Sequence, residues 1–258
     1  MNENITHLLT ANNLQKTLGG NKVVQSIDIS LQQGEVLGFL GPNGAGKTTS
    51  MRMLSGCLRT DNAQKGQITI NQYDLLTQPL QAKASLGYMA EQVPMWQDMR
   101  VVEFLSFIGK AQGLEPKRLE ARMQIVLNDL HLQDKQRELI ETLSKGYKRR
   151  VGLAAALIHD PKVLILDEPT DGLDPNQKHE LRGLVRNLAK EKAILISTHI
   201  LEEVEALCTR IMIIHDGNIR FQGDKDAITK LDEAKTSATS FSQSLERVFR
   251  HYTADGAN

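Results

Sequence analysis

The run Gly41-Pro42-Asn43-Gly44-Ala45-Gly46-Lys47-Thr48-Thr49 fits the spacing G-x-x-x-x-G-K-[ST], which suits the holding of a string of phosphates. Its glycines let the loop curl until successive backbone N–H groups point inward, and a helix starting behind it adds its positive end. Lys47 would reach the β- and γ-phosphates, and Thr48 would offer a hydroxyl to Mg²⁺. A second set of chemical groups closes the apolar run Val163-Leu164-Ile165-Leu166 with Asp167 and Glu168. A strand ending in two carboxylates delivers both to the carboxyl edge of a parallel sheet, where such folds hold ligands. Neighbouring strand side chains face opposite ways, so the two take different tasks. Asp167 can hold Mg²⁺ and Glu168 can polarise a water. His199 follows a third apolar run, Ile194 to Thr198. Most of the other histidines, His7, His131, His159, His179, His215 and His251, lie in polar or loop-like surroundings that predict a surface location.

The flanking residues supply the elements these groups need. Val36 to Leu40 reads as a buried strand directly before the loop, and Thr49 to Leu54 as the helix directly after it. Further β-type runs are Val23-Val24 with Ile27 to Leu31, and Gln67 to Ile70, separated by Gly-rich or polar turns. Residues from about 100 to 150 change to helical spacing, with Val101, Phe104, Leu105 and Ile108, then Met123, Val126, Leu127 and Leu130. Strands return at Val163 to Leu166, Ala193 to Ser197 and Ile211 to Ile214 with helical stretches between them. That alternation predicts an α/β fold with a mostly parallel sheet. Ala234 to Ser240 is a small-polar linker. Leu245, Val248, Phe249 and Tyr252 beyond it predict a short amphipathic helix packed on its own domain, followed by fraying over Ala254 to Asn258.

Composition bounds the alternatives. The 258 residues carry 31 Lys plus Arg against 31 Asp plus Glu, so the broad positive field of a nucleic-acid binder is missing, and aromatic content of 4% offers no base-stacking platform. A hydrophobic fraction of 40% excludes disordered and collagen-like classes. Cys57 and Cys208 form no CxxC pair, which fits a reduced intracellular setting. The opening Met1 to His7 does not read as a signal peptide, and the apolar runs are far short of the about 20 residues a membrane span needs.

The segment Leu143-Ser144-Lys145-Gly146-Tyr147, followed by Arg150-Val151 and then the acidic strand, resembles the LSGGQ signature of the ATP-binding cassette ATPases in an LSKGY form. With Gly172-Leu173-Asp174 as D-loop and His199 in the switch position, the resemblance extends to about residue 230. It implies a P-loop NTPase (RecA-like) fold: a mostly parallel sheet core, an antiparallel β subdomain, and an inserted helical signature subdomain over about 91–155. The cassette would occupy 1–230, and a linker with a short helix 231–258. It further implies ATP and Mg²⁺ as ligands, and a head-to-tail dimer with ATP between the phosphate loop of one subunit and the signature of the other. Ser144 and Gly146, flanked by Lys145 and Tyr147, would bind the γ-phosphate in trans. Glu168 would orient the attacking water, His199 would contact the γ-phosphate, and Asp174 would couple the two sites.

Three positions depart from the family pattern. Leu18 stands before Gly19 where a Tyr usually stacks on adenine, so aliphatic contact is expected there. The Q-loop position falls on Glu91, with Gln92 as the alternative, and a Glu91 carboxylate could join Thr48 and Asp167 on the metal. Lys145 and Tyr147 replace Gly and Gln in the signature. The signature and the stretch from Tyr88 to Val101 resemble exporter ATPases whose permeases are separate chains. The expected partners are an integral-membrane permease, bound in a groove beside Glu91 to Trp96, and a second ATPase subunit, for which another copy suffices. Trp96 could equally belong to the helical core. The expected location is the cytoplasmic face of the cell membrane. The alternative is a non-transport ATPase acting on a macromolecular assembly. It is disfavoured by the short span from Lys47 to Ser144, which leaves no room for a coiled-coil insertion, and by the neutral charge.

Overall fold

A computed structural model describes residues 6–233 and 240–254. It opens on a long antiparallel hairpin, β1 (His7–Leu18) and β2 (Asn21–Gln32), which turns at Gly19-Gly20. β1 is hard to read in sequence because its inward residues are Leu9, Ala11 and then Leu14. The register shifts between Ala11 and Leu14, with Asn13 at a φ of 51°, and this breaks the period of two. Next come β3 (Val36–Leu40), α1 (Lys47–Leu54), β4 (Ile68–Ile70), β5 (Tyr73–Asp74), α2 (Pro79–Ala84) and β6 (Leu86–Met89). The helical block consists of α3 (Val101–Ala111), α4 (Pro116–Asp129) and α5 (Lys145–Leu157), inserted between β6 and the next strand. The chain then runs through β7 (Val163–Asp167), α6 (Pro175–Ala189), β8 (Ala193–Thr198), α7 (Leu201–Leu207), β9 (Arg210–His215), β10 (Asn218–Asp224), α8 (Lys225–Glu233) and α9 (Phe241–Thr253).

Two sheets result. The antiparallel one has the order β2-β1-β4-β5, and the six-stranded one the order β10-β9-β3-β8-β7-β6. Every pair in the larger sheet is parallel except β9 with β10. Both faces of that sheet are covered, which is why its strands read as unbroken apolar runs rather than alternating ones. Leu37, Phe39, Val163, Ile165, Leu195 and Met212 pack toward the antiparallel sheet and α1. Val36, Leu40, Leu164, Leu166, Ile196 and Ile213 belong to the other cluster, with residues of the helical block and α9. The parallel strands all end at one edge, so the phosphate loop, Glu168 and His199 emerge side by side.

α8 runs past residue 230, and α9 sends Leu245 and Val248 into the main core, as its amphipathic spacing predicts. Of the polar linker at 234–240 only Ser240 is described. It caps α9, accepting the Gln243 N–H. The expected fraying falls beyond Ala254, outside the described residues. His159 is buried rather than exposed. Its Nε2 lies 3.0 Å from the Leu86 carbonyl oxygen, and burial lowers its pKa. Among the described residues no helix is long and apolar enough to cross a membrane.

Candidate functional site

The phosphate loop is shaped by close backbone approach. A Cβ on Gly46, whose φ is 105°, would lie 2.7 Å from the Val23 carbonyl oxygen, and one on Gly41 would meet the carbonyl of Ile214. Only glycine fits both places. No side chain caps α1, so its first N–H groups face the loop. Lys47 is buried and donates to the carbonyls of Gly41 at 2.7 Å and Pro42 at 3.0 Å. Burial pulls its pKa below the ordinary value, and the charges of Glu168, Asp167 and Glu91 only partly oppose this.

β7 and β8 set the acidic edge. Asp167 is fully buried opposite Ser197, whose hydroxyl donates to its Oδ1, while its Oδ2 has no partner among the described residues. Glu168 adopts a left-handed φ of 48°, and its N–H donates to the Ser197 carbonyl at 3.2 Å. Its Oε1 lies 3.0 Å from His199 Nδ1, and its Oε2 is buried and unpaired among the described residues. Strained backbone and unpaired buried oxygens together mark a site built for a ligand.

Glu168 and His199 share with Lys47 a cavity of about 490 Å³, and the fully buried Asp167 is not among the residues that line it. The loop lines it with Asn43, Gly44, Gly46, Lys47, Thr48 and Thr49, and Glu91, Glu168 and His199 face them. Gln92 is outside the wall. Leu18 is not part of that wall and is 43% exposed, and Val23 of the same hairpin lines it. Asp171 also lines the cavity, and no motif in the sequence marks it out.

The signature turn is organised elsewhere. Ser144 caps α5, its Oγ accepting the Tyr147 N–H at 3.4 Å. Gly146 packs so tightly against Gln177 that a Cβ would collide with it. Lys145 ties the turn to the segment after β7, its Nζ 2.8 Å from Asp171, and the Tyr147 ring lies under Lys135 and Arg150. Asp174 caps α6 through the Gln177 N–H at 2.9 Å. Among the described residues, Ser144, Lys145, Gly146, Tyr147 and Asp174 do not line the phosphate-loop cavity.

Arg149 is illegible in sequence because it sits in a run of exposed-looking bases. It is buried, and it donates to the carbonyls of Glu91, Asp167, Glu168 and Pro169. One guanidinium thus ties α5 to both the Glu91 segment and the end of β7. Trp96 is half exposed and meets Phe107 edge-on, with centroids 4.9 Å apart.

The fold and the cavity define a P-loop nucleoside triphosphatase. The family described as ABC transporter matches residues 24–171, and the chain belongs to that family. It is similar to the linearmycin resistance ATP-binding protein LnrL of Bacillus subtilis, at 37% identity over 219 residues covering 84% of this chain and 70% of that protein. It is also similar to the Nod factor export ATP-binding protein I of Burkholderia lata, at 37% identity covering 84% of this chain and 70% of that protein. A solved structure of an ATP-binding subunit of an ABC transporter superposes with a TM-score of 0.83 at 27% identity, covering 94% of this chain and 99% of that one. The chain is an ABC-type ATPase that binds and hydrolyses ATP as a transporter subunit.

Proposed function

We propose that two copies of this chain bind ATP head to tail and use its hydrolysis to drive a separate export permease. The observation that carries this reading is the split between the two halves of the site. Lys47, Thr48, Glu168 and His199 surround one cavity, while the capped N-terminus of α5 at Ser144 lies outside it. A helix N-terminus favours phosphate: α1 supplies one to this cavity from the chain itself, and a second subunit would bring that of α5 to the opposite side. Each half-site is complete in this chain, so a homodimer suffices.

Within the cavity, the loop N–H groups and Lys47 hold the phosphates. The donor set fits a magnesium ion: a hydroxyl at Thr48, an unpaired buried oxygen at Asp167 and a carboxylate at Glu91, with phosphate oxygens completing the shell. Bound there, the ion would neutralise charge on the phosphates. Glu168 turns its unpaired oxygen toward the attacking water and His199 holds its other oxygen. Val23 supplies apolar contact near the loop. Ser144 and Gly146 cover the γ-phosphate from the partner, and Asp174 lies at the seam.

Export is supported by the names of the relatives, a linearmycin resistance protein and a Nod factor export protein. The exposed Trp96 and Phe107 offer an apolar foothold for a permease segment, which would hold the protein at the cytoplasmic membrane face. Purification of the tagged chain from detergent-solubilised membranes tests the partner. A polytopic protein is expected to co-purify, and its absence would overturn the transporter-coupling part of the proposal.

A further inference from the structure

The β7–β8 ladder ends at Asp167 opposite Ser197, yet the two groups that must cooperate, Glu168 and His199, lie just beyond it. His199 cannot be held by packing of its own ring, whose side chain is 53% exposed. Something else must fix the two strand exits relative to each other.

Glu203, in the first turn of α7, sits between those exits and is only 1% exposed. Thr170, two residues past Glu168, donates its hydroxyl to Glu203 Oε1. Thr198, immediately before His199, donates to Glu203 Oε2 at 3.1 Å and accepts the Ile200 N–H at 3.0 Å. Both threonines are fully buried. A carboxylate that merely complements a helix terminus needs no burial, and Glu202 in the same turn is exposed. Burying a carboxylate is costly, and here burial pushes the Glu203 pKa up, while the Thr198 hydroxyl and the charges of Lys178 and Arg182 oppose it.

We infer that Glu203 is a positioning residue which clamps the segment after β7 to the end of β8 through Thr170 and Thr198, and so sets the contact between Glu168 and His199. The inference rests on the catalytic roles proposed above for that pair. An amide in place of the carboxylate turns one of the two acceptors into a donor, so one threonine keeps its bond only by reversing its hydroxyl to accept, which changes the geometry of the clamp.

The test measures ATP turnover and ATP affinity of the full chain carrying Glu203→Gln, Thr170→Val or Thr170→Ser. Since displacements of about 1 Å can cost on the order of 100-fold in rate, Glu203→Gln and Thr170→Val are each expected to lower kcat about tenfold or more with KM for ATP within about twofold. Thr170→Ser keeps the hydroxyl and restores turnover. In the double variant the two losses should fall short of multiplying, because they break one clamp. A folded Glu203→Gln protein with kcat within about twofold of wild type would overturn the inference, as would a loss confined to KM. If Glu203→Gln does not fold, the Thr170→Val and Thr170→Ser pair decides, and equal turnover in those two sinks it. Glu168→Gln run alongside separates the levels. Normal turnover there breaks the underlying reading, whereas a stalled Glu168→Gln with unaffected Glu203 and Thr170 variants breaks only the clamp.

Discussion

The phosphate-loop cavity and the signature turn come from the same chain but differ in how far that chain finishes them. The cavity draws on the ends of β3, β7 and β8, on α1 and on the Glu91 segment, and is lined by a lysine with depressed pKa and by Glu168 with its unpaired buried oxygen. The signature has its helix, its Ser144 cap and its glycine seated on Gln177, and none of Ser144 to Tyr147 lines that cavity. In the dimer proposed above, folding of one chain would complete the first half and only prepare the second, and association would supply what folding leaves out.

Substitutions in the two halves should therefore behave differently. Glu168→Gln, in the cavity, is expected to lower turnover by about 10² to 10⁴, the usual worth of a general base, while ATP binding survives. A filter-binding and phosphate-release comparison checks both. Lys47→Ala should weaken ATP binding to the single chain, and Ser144→Ala should leave that binding intact. Equal binding losses in a titration would erase the distinction between halves. Ser144→Ala also removes a helix cap and should cost about 1 kcal/mol of stability by urea unfolding.

The smallest effect lies away from both halves. Burial lowers the His159 pKa, so the folded state prefers the neutral ring. Its contribution is full above the ordinary histidine value of 6.5 and is lost as pH falls below that toward the folded value. The thermal midpoint should decline from about pH 7.5 to about pH 5.5, and His159→Gln should flatten the decline.

The site's chemistry was legible where spacing is dictated by backbone geometry. The phosphate loop and the acidic end of β7 are contiguous runs whose function requires their order. Residues that act from elsewhere in the chain left no such mark. Ser197 holds Asp167 across a strand pair, Arg149 reaches four carbonyls from a helix, and Glu203 joins the segment after β7 to the end of β8, so each depends on tertiary placement. Leu18 stands 43% exposed before the turn at Gly19-Gly20, while Val23 across the hairpin lines the cavity. The bulge at Asn13 hid β1, and His159 looked exposed because it opens the loop-like run Asp160-Pro161-Lys162 while its ring turns inward to Leu86.

The central claim, that one hydrolytic site needs two chains, is tested most directly by mixing Lys47→Ala protein with Ser144→Arg protein. Each variant alone has both sites of its dimer broken. A mixed dimer pairs an intact phosphate loop from one chain with an intact signature from the other, so turnover should return, to on the order of a quarter of wild type by site counting. A mixture as inactive as either variant alone would contradict the shared site.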